Sequence, residues 1–274
     1  MKIACIQINS GADINANIAR TRELVAEAAA RGAELVALPE NVFLMEPPGL
    51  GAKRVLYSES EHPGVAAAAR MAVEHQCWLL VGSVAIKIDD SGKTMNRSIL
   101  VNPEGKITAR YDKIHLFDVQ LPNGETYAES AKMLHGDKAV LADIAGAKLG
   151  MTICYDVRFP HLYRTLAKAR AQILSVPSAF TAVTGEAHWH VLLRARAIET
   201  GCFVIAPAQT GTHPGDRKTY GHALIVSPWG KILADGGTEE GVIVADIDLD
   251  EVREARARIP ALKHDREFTL VSST

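Results

Sequence analysis

Three short stretches hold residues that could do chemistry: LPEN with Glu40, YDKIHLFD with Lys113 and CYDVRFP with Cys154. Cys154 lies where an apolar run, KLGMTIC, gives way to charged residues and then to a helical pattern, PHLYRTLAKARA. A thiol at a sharp strand-to-helix junction is lifted clear of the sheet, and the free N–H groups at a helix start favour its thiolate. Glu40 and Lys113, each taken alone, read as solvated charges at the ends of buried strands. With Cys154 they complete a reaction. A sulfur nucleophile needs a base to take and return its proton. Addition to a carbonyl puts negative charge on oxygen, which Lys113 and the N–H of Tyr155 could hold. Histidine, the usual base, is missing from the set. A Glu shielded from water beside Lys and Cys can be tuned to that task. Two non-hydrolytic readings compete, a redox-sensing thiol and a partner-binding protein. The first would need a resolving Cys, and none lies near Cys154 in sequence.

The elements that must position these residues repeat. The first half reads as strand KIACIQI, helix NIARTRELVAEAAARG, strand AELVALPE, helix VAAAARMAVEHQ, strand CWLLVGSVAI and hairpin RSILVNPEGKITARYDK. The second reads as strand KLGMTICYD, helix PHLYRTLAKARA, strand QILSVPSAF, helix AHWHVLLRARAIETG, strand CFVIAPAQ and hairpin HALIVSPWGKILAD. RGAELVALPE parallels ARAQILSVPS, and SILVNPEGKITA parallels ALIVSPWGKILA. The pattern predicts a duplication, roughly 1–112 and 147–236, followed by a helix and tail over 248–274. Alternating strands and helices imply an α/β fold, and the short apolar strands imply burial on both faces. A four-layer αββα sandwich with an internal pseudo-two-fold repeat would serve a duplicated unit; a single doubly wound sheet is the alternative. Three stretches read as long and irregular, Asn41 to Pro63, Leu116 to Ala139 and Ala208 to Tyr220, which marks them as functional or disordered. Glu40, Lys113 and Cys154 each fall at a strand end, where ligands gather in α/β sheets.

Composition narrows the partners. The chain has 274 residues and a formal net charge of −2, with no basic stripe, so neither nucleic acid nor an anionic membrane is an expected partner. The N-terminal MKIACIQI enters a strand at once, and no apolar run is long enough for a bilayer. The four cysteines form no CxxC pair, which predicts a reduced, cytoplasmic protein. Cys5, Cys77 and Cys202 read as buried, inert thiols in apolar strands. His188 and His190 flank Trp189 on a helix and should point to different sides, so no metal is expected there. Arg194, Arg196 and Glu199 on the same helix read as an exposed ion-pair face.

The three motifs, in this order and spacing, resemble the nitrilase superfamily of carbon–nitrogen hydrolases, over almost the whole chain. That superfamily's triad is Glu, Lys and Cys, which here are Glu40, Lys113 and Cys154, and its fold is the αββα sandwich. PSAFTAVTGEAHWHVLLRARAIETGCFVIAPAQTG and RKTYGHALIVSPWG are similar to the Nit branch, most of all to members that act on deaminated glutathione. The resemblance implies a single hydrolase domain over 1–274 and a second catalytic Glu at Glu129, in GETYAES. It also implies no cofactor and no metal, and a homodimer built partly by the tail. Its implied reaction is amide cleavage through a thioester, releasing 2-oxoglutarate and cysteinylglycine. An ω-amidase acting on 2-oxoglutaramate, or another nitrilase or aliphatic amidase, is the alternative. A substrate of this kind carries carboxylates. Arg158 is then a candidate to bind one, unless it only braces the turn by pairing with Asp156; Tyr155, Phe180 and Trp189 are candidates to border the substrate. One departure stands out: His161 follows RFP where the branch usually has Glu.

Overall fold

The computed structural model of the chain describes residues 1–46, 55–88 and 92–272. Residues 47–54 of the first expected irregular stretch, and 273–274 of the tail, lie outside the described residues. The first half runs β1 (Lys2–Ile8), α1 (Ile14–Ala30), β2 (Leu35–Ala37), α2 (Pro63–His75), β3 (Trp78–Lys87), β4 (Thr94–Val101) and β5 (Ile107–Asp112). A connecting stretch carries β6 (Asp118–Gln120), β7 (Thr126–Ala128), β8 (Met133–Leu134) and β9 (Val140–Ile144). The second half runs β10 (Ala147–Met151), α3 (Pro160–Lys168), β11 (Ile173–Ser175), α4 (Ala182–Thr200) and β12 (Phe203–Ala206). After the hairpin β13 (Ala208–Thr212) and β14 (Lys218–Tyr220) come β15 (Leu224–Val226), β16 (Ile232–Asp235), β17 (Gly241–Asp246) and α5 (Asp250–Arg258). Local chemistry starts the helices. The Asp13 carboxylate accepts from the Asn15 and Ala16 N–H groups at the head of α1. Pro63 occupies the first turn of α2, where a missing N–H is harmless.

The repeat is a repeat of pairing as well as of order. β1, β2 and β3 are parallel neighbours and β4 and β5 antiparallel; β10, β11 and β12 are parallel and β15 and β16 antiparallel. One row across the first sheet is Cys5, Ala37, Leu80, Leu100, Ala109; the matching row is Met151, Ser175, Ile205, Ile225, Ala234. The two Pro-x-Gly hairpins close alike. Gly105 N–H donates to Asn102 O at 2.9 Å with φ 76°, and Gly230 N–H donates to Ser227 O at 2.8 Å with φ 79°. That left-handed backbone favours glycine in both.

The sheets stack face to face. Ala4, Ile6, Val36, Leu79 and Ile99 share a core with Leu24, Val25, Ala68 and Met71 of α1 and α2. The alternate residues Ile3, Cys5, Leu35, Leu80 and Leu100 share one with Ile144, Leu149 and Met151 of the second sheet, and with Leu162, Leu166 and Leu193 of α3 and α4. Helices, sheet, sheet, helices is the αββα sandwich, not a single doubly wound sheet.

Two stretches expected to be irregular are ordered. Ala208 to Tyr220 forms the β13–β14 hairpin, which leaves its own half and adds to the first sheet, with Gln7 opposite Ala208 and Ile8 opposite Gln209. Its polar residues hid it, because apolar alternation is the signal for a strand and an edge strand can dispense with it. Leu116 to Ala139 carries a β6–β7 ribbon and a 3₁₀ turn, Glu129–Ala131.

Candidate active site

Glu40 follows β2 on a turn held from several sides. Gly82 of β3 lies so close that a Cβ there would sit 1.9 Å from Leu38 O. The β3–β4 register shifts at this point, and Ser83 Oγ accepts from Asn41 N–H at 3.0 Å. The Glu40 side chain is 4% exposed. Its Oε1 accepts from Lys113 Nζ and Asn96 Nδ2, both at 3.0 Å, and its Oε2 accepts from Ala179 N–H at 2.8 Å.

Lys113 follows β5, and its N–H donates to Asn96 O at 2.9 Å, so the end of the ladder aims the side chain inward. Nζ meets Glu40 at 3.0 Å and Glu129 at 2.9 and 3.1 Å. Glu129 opens its 3₁₀ turn and also accepts from Phe117 N–H at 2.7 Å and Asn96 Nδ2 at 3.2 Å.

Cys154 opens a second 3₁₀ turn, Cys154–Arg158, with a φ of +46°, and its N–H donates to Pro177 O at 3.0 Å. A non-glycine residue in that region stores about 1–3 kcal/mol of strain and persists only where the surroundings impose it. The buried Asp156 carboxylate imposes it here. It accepts from Ile153 N–H at 2.8 Å, from Tyr111 OH at 2.7 Å and from His115 N–H at 3.1 Å, tying the Cys154 turn to the strand that delivers Lys113.

Electrostatics decides the resting protonation. Burial pushes the Cys154 thiol up, the Glu40 carboxylate pushes it further, and Lys113 only partly opposes them. Burial would raise Glu40, but the charge and hydrogen bond of Lys113 and the Ala179 N–H outweigh it and hold the carboxyl below its usual range. Burial would neutralise Lys113, yet Glu129 and Glu40 keep it charged, well above its ordinary value. The site rests as thiol, carboxylate and ammonium. The pull of a helix start toward the thiolate, noted from the sequence, is outweighed by burial, because a five-residue 3₁₀ turn offers little dipole against full desolvation.

The four residues Glu40, Lys113, Glu129 and Cys154 line one cavity of about 700 Å³. A carboxylate base, a fixed cation and a thiol at the wall of a chamber suit addition to a carbonyl. The family model described as carbon-nitrogen hydrolase matches residues 2–257. The chain belongs to the carbon–nitrogen hydrolase family. This hydrolase is 43% identical to the deaminated glutathione amidase of Synechocystis sp. over 95% of its own length and 96% of that protein's. It is 34% identical to the human omega-amidase over 97% and 95% of the two chains. Its fold superposes on the crystal structure of the C. elegans NitFhit protein with a TM-score of 0.86 and 34% identity, covering 97% of this chain and 65% of that longer one. It is an amide-hydrolysing enzyme with the nitrilase-type sandwich.

Not every expected residue reaches the hydrolase's cavity. Tyr155 and Phe180 line it. Trp189 does not: it is fully buried behind Phe180, ring centroids 4.9 Å apart, and its Nε1 donates to His222 O at 2.7 Å. Arg158 stacks outside both aromatics, its Cζ 5.4 Å from the Phe180 ring and 6.0 Å from that of Tyr155, with Nη2 3.2 Å from His188 Nδ1. The aromatic rings stand between Arg158 and the chamber, and Asp156 is committed to Tyr111 and His115 instead. Arg196 does pair with Glu199, at 2.7 Å, but it is buried rather than on an exposed face, and it donates to Val157 O at 2.8 Å, bracing the Cys154 turn.

Two residues went unnoticed in the sequence. Asn96 bridges the two carboxylates; its signal was the inward alternation of Thr94, Asn96 and Ser98, polar residues where a strand should bury apolar ones. Arg217 lines the cavity from the β13–β14 turn. His188 and His190 do diverge, but His190 meets His222 and Asp235 from other elements. The carboxylate lies 3.1 Å from His190 Nε2 and 2.9 Å from His222 Nδ1, a geometry that could hold a metal outside the cavity. Among the described residues no helix is long and apolar enough to cross a membrane.

Proposed function

We propose that the hydrolase cleaves its amide through a Cys154 thioester. Glu40 takes the thiol proton as sulfur attacks the carbonyl carbon. The charge that develops on oxygen is met by Lys113 Nζ and the Tyr155 N–H. The Asp156 N–H is the amide that bonds back to Ile153 O, so Tyr155 is among the donors a helix start leaves free. Glu40 returns its proton to the departing nitrogen, then draws one from the water that opens the thioester. Glu129 keeps Lys113 charged and aimed. The observation that carries this reading is the convergence of Glu40, Lys113 and Cys154 on one chamber.

The substrate in this proposal is deaminated glutathione, split to 2-oxoglutarate and cysteinylglycine. The Synechocystis relative's name supports it, and a chamber of about 700 Å³ leaves room for a dipeptide leaving group. The human omega-amidase supports the second reading, 2-oxoglutaramate as substrate. Steady-state kcat/KM on both with one enzyme preparation decides: a higher value for deaminated glutathione supports the first, a higher value for 2-oxoglutaramate moves the assignment, and hydrolysis of neither removes both. The proposed unit is a single domain over 1–274 working as a cytoplasmic homodimer. Free cysteines suit a reducing compartment, and Phe268, Leu270 and Val271, 85–93% exposed in the tail, suit burial against a second copy.

A further inference from the structure

The substrate proposed above has a carboxylate a few bonds from its scissile carbonyl, and with Arg158 screened from the chamber another residue must receive it. Among the described residues, three long basic side chains line the cavity: Lys113, Lys132 and Arg217. Lys113 is committed to two carboxylates. Lys132 is exposed and its charge is solvated. Arg217 is half-buried and has no carboxylate partner among the described residues. Among the described residues, its Nη2 donates to Ala179 O at 2.8 Å, its Nη1 makes a weak contact to Met45 Sδ at 3.8 Å, and its buried Nε has no partner. A guanidinium with one hydrogen bond out of five donors is under-used, and a half-buried charge without a counter-charge is costly. The Tyr127 ring, 5.5 Å from Cζ, offsets part of that cost from one face.

We infer that Arg217 is the anion subsite of the chamber, binding a carboxylate on the acyl part of the amide substrate through its planar fork. The position fits. Ala179 accepts from Arg217 through its carbonyl and donates to Glu40 through its N–H, so the guanidinium sits one residue's width from the catalytic carboxylate. Its positive charge is felt there and helps hold the Glu40 carboxyl down, behind the larger effect of Lys113. A short dicarboxylic acyl chain could place its far carboxylate on Arg217 while its near carbonyl meets Cys154. The β13–β14 hairpin, which crosses from the second half onto the first sheet, is what brings Arg217 there.

This inference rests on the amidase reading, so the test separates the two. The first arm compares kcat/KM for 2-oxoglutaramate with that for a neutral aliphatic amide of the same length, in wild type and in Arg217→Met and Arg217→Lys. The ratio of charged to neutral substrate should fall roughly 10- to 100-fold in Arg217→Met, the scale of a charge-assisted hydrogen bond, mostly through KM. Arg217→Lys should recover part of it. An unmoved ratio, with both substrates losing equally, overturns the subsite and leaves Arg217 as a brace for Ala179. The second arm titrates 2-oxoglutarate into the proteins by calorimetry and needs no turnover. Affinity at least about tenfold weaker in Arg217→Met supports the subsite even if no amide is cleaved. Equal affinity, or no binding by wild type, overturns it.

Discussion

The two halves of the molecule share a pattern of strand pairing, but the residues proposed for the chemistry are spread unequally over them. Three residues beyond Ala37 stands Glu40; three beyond its counterpart Ser175 stands Ser178. Four beyond Ala109 stands Lys113; four beyond Ala234 stands Thr238. Three beyond Met151 stands Cys154; three beyond Cys5 stands Ile8, buried and still inside its strand. Each residue proposed to react faces, across the pseudo-dyad, one that has no part in the proposed reaction. A full second set would bury further charges, and each would need its own counter-charge and donors. The second half instead turns its loop into support: Ala179, next to Ser178, gives its N–H to Glu40, and Pro177 accepts from Cys154. Two matching strand ends thus lie at one place, and the loop after one of them supports the carboxylate after the other.

The largest test of that asymmetry removes the nucleophile. Cys154→Ala should abolish amide turnover while circular dichroism and the melting curve stay those of a folded protein; retained turnover would show that the strained turn of the second half is not where the chemistry happens. Next come the two charges of the first half. Glu40→Gln should lower kcat roughly 10²- to 10⁴-fold, the range for losing a general base, and Lys113→Met at least ~10²-fold, the scale of a lost oxyanion donor. A loss of only a few-fold at either would make it as inert as Ser178 or Thr238.

A third test uses pH. Because Glu40 is held below 4.5 when folded, it should stay ionised, and kcat/KM should be flat between about pH 6 and 8, with an acid limb only below pH 4.5. Stability moves at the other end. Cys5, Cys77, Cys154 and Cys202 are all raised above the ordinary 9.0, chiefly by burial. Above pH 9 the unfolded chain loses thiol protons that the native state keeps, so the unfolded state binds fewer protons and stability falls as pH rises. Urea unfolding at pH 8 and pH 10 should show the loss, shallower in Cys154→Ala. Equal slopes would mean that Cys154 does not share the burial of the other three.

The smallest expected effect is at Glu40's counterpart. Ser178 is buried, and among the described residues its Oγ bonds only to Val176 O, at 3.0 Å. Ser178→Ala should cost about 0.5–1.5 kcal/mol in urea unfolding, with kcat within about threefold of wild type. A large drop in rate would break the division between reactive and supporting strand ends.

Residue type and chain order were enough to reach Glu40, Lys113, Cys154 and the repeat. Strand periods and a thiol at a strand end are local features, and matched Pro-x-Gly turns survive as short words. Glu129 needed the family resemblance, because a carboxylate in a polar loop has no local signal. The state of the thiol ran against the local rule: a helix start lowers a thiol's pKa, but only the packed sheets show that burial outweighs it. Trp189 and Phe180 look equally aromatic on paper, and only their packing order puts one at the chamber and the other behind it. Arg217 lines the chamber and Arg158 does not, for the same reason. Arg158 is four residues from Cys154 and shut out by two rings; Arg217 is distant in sequence and carried in by a hairpin that pairs with β1. Sequence by itself determines which side chains are available and the period on which they recur, since both are set within a few residues. Which of them share a cavity depends on contacts between segments far apart in the chain, and those exist only once the two sheets have closed on each other.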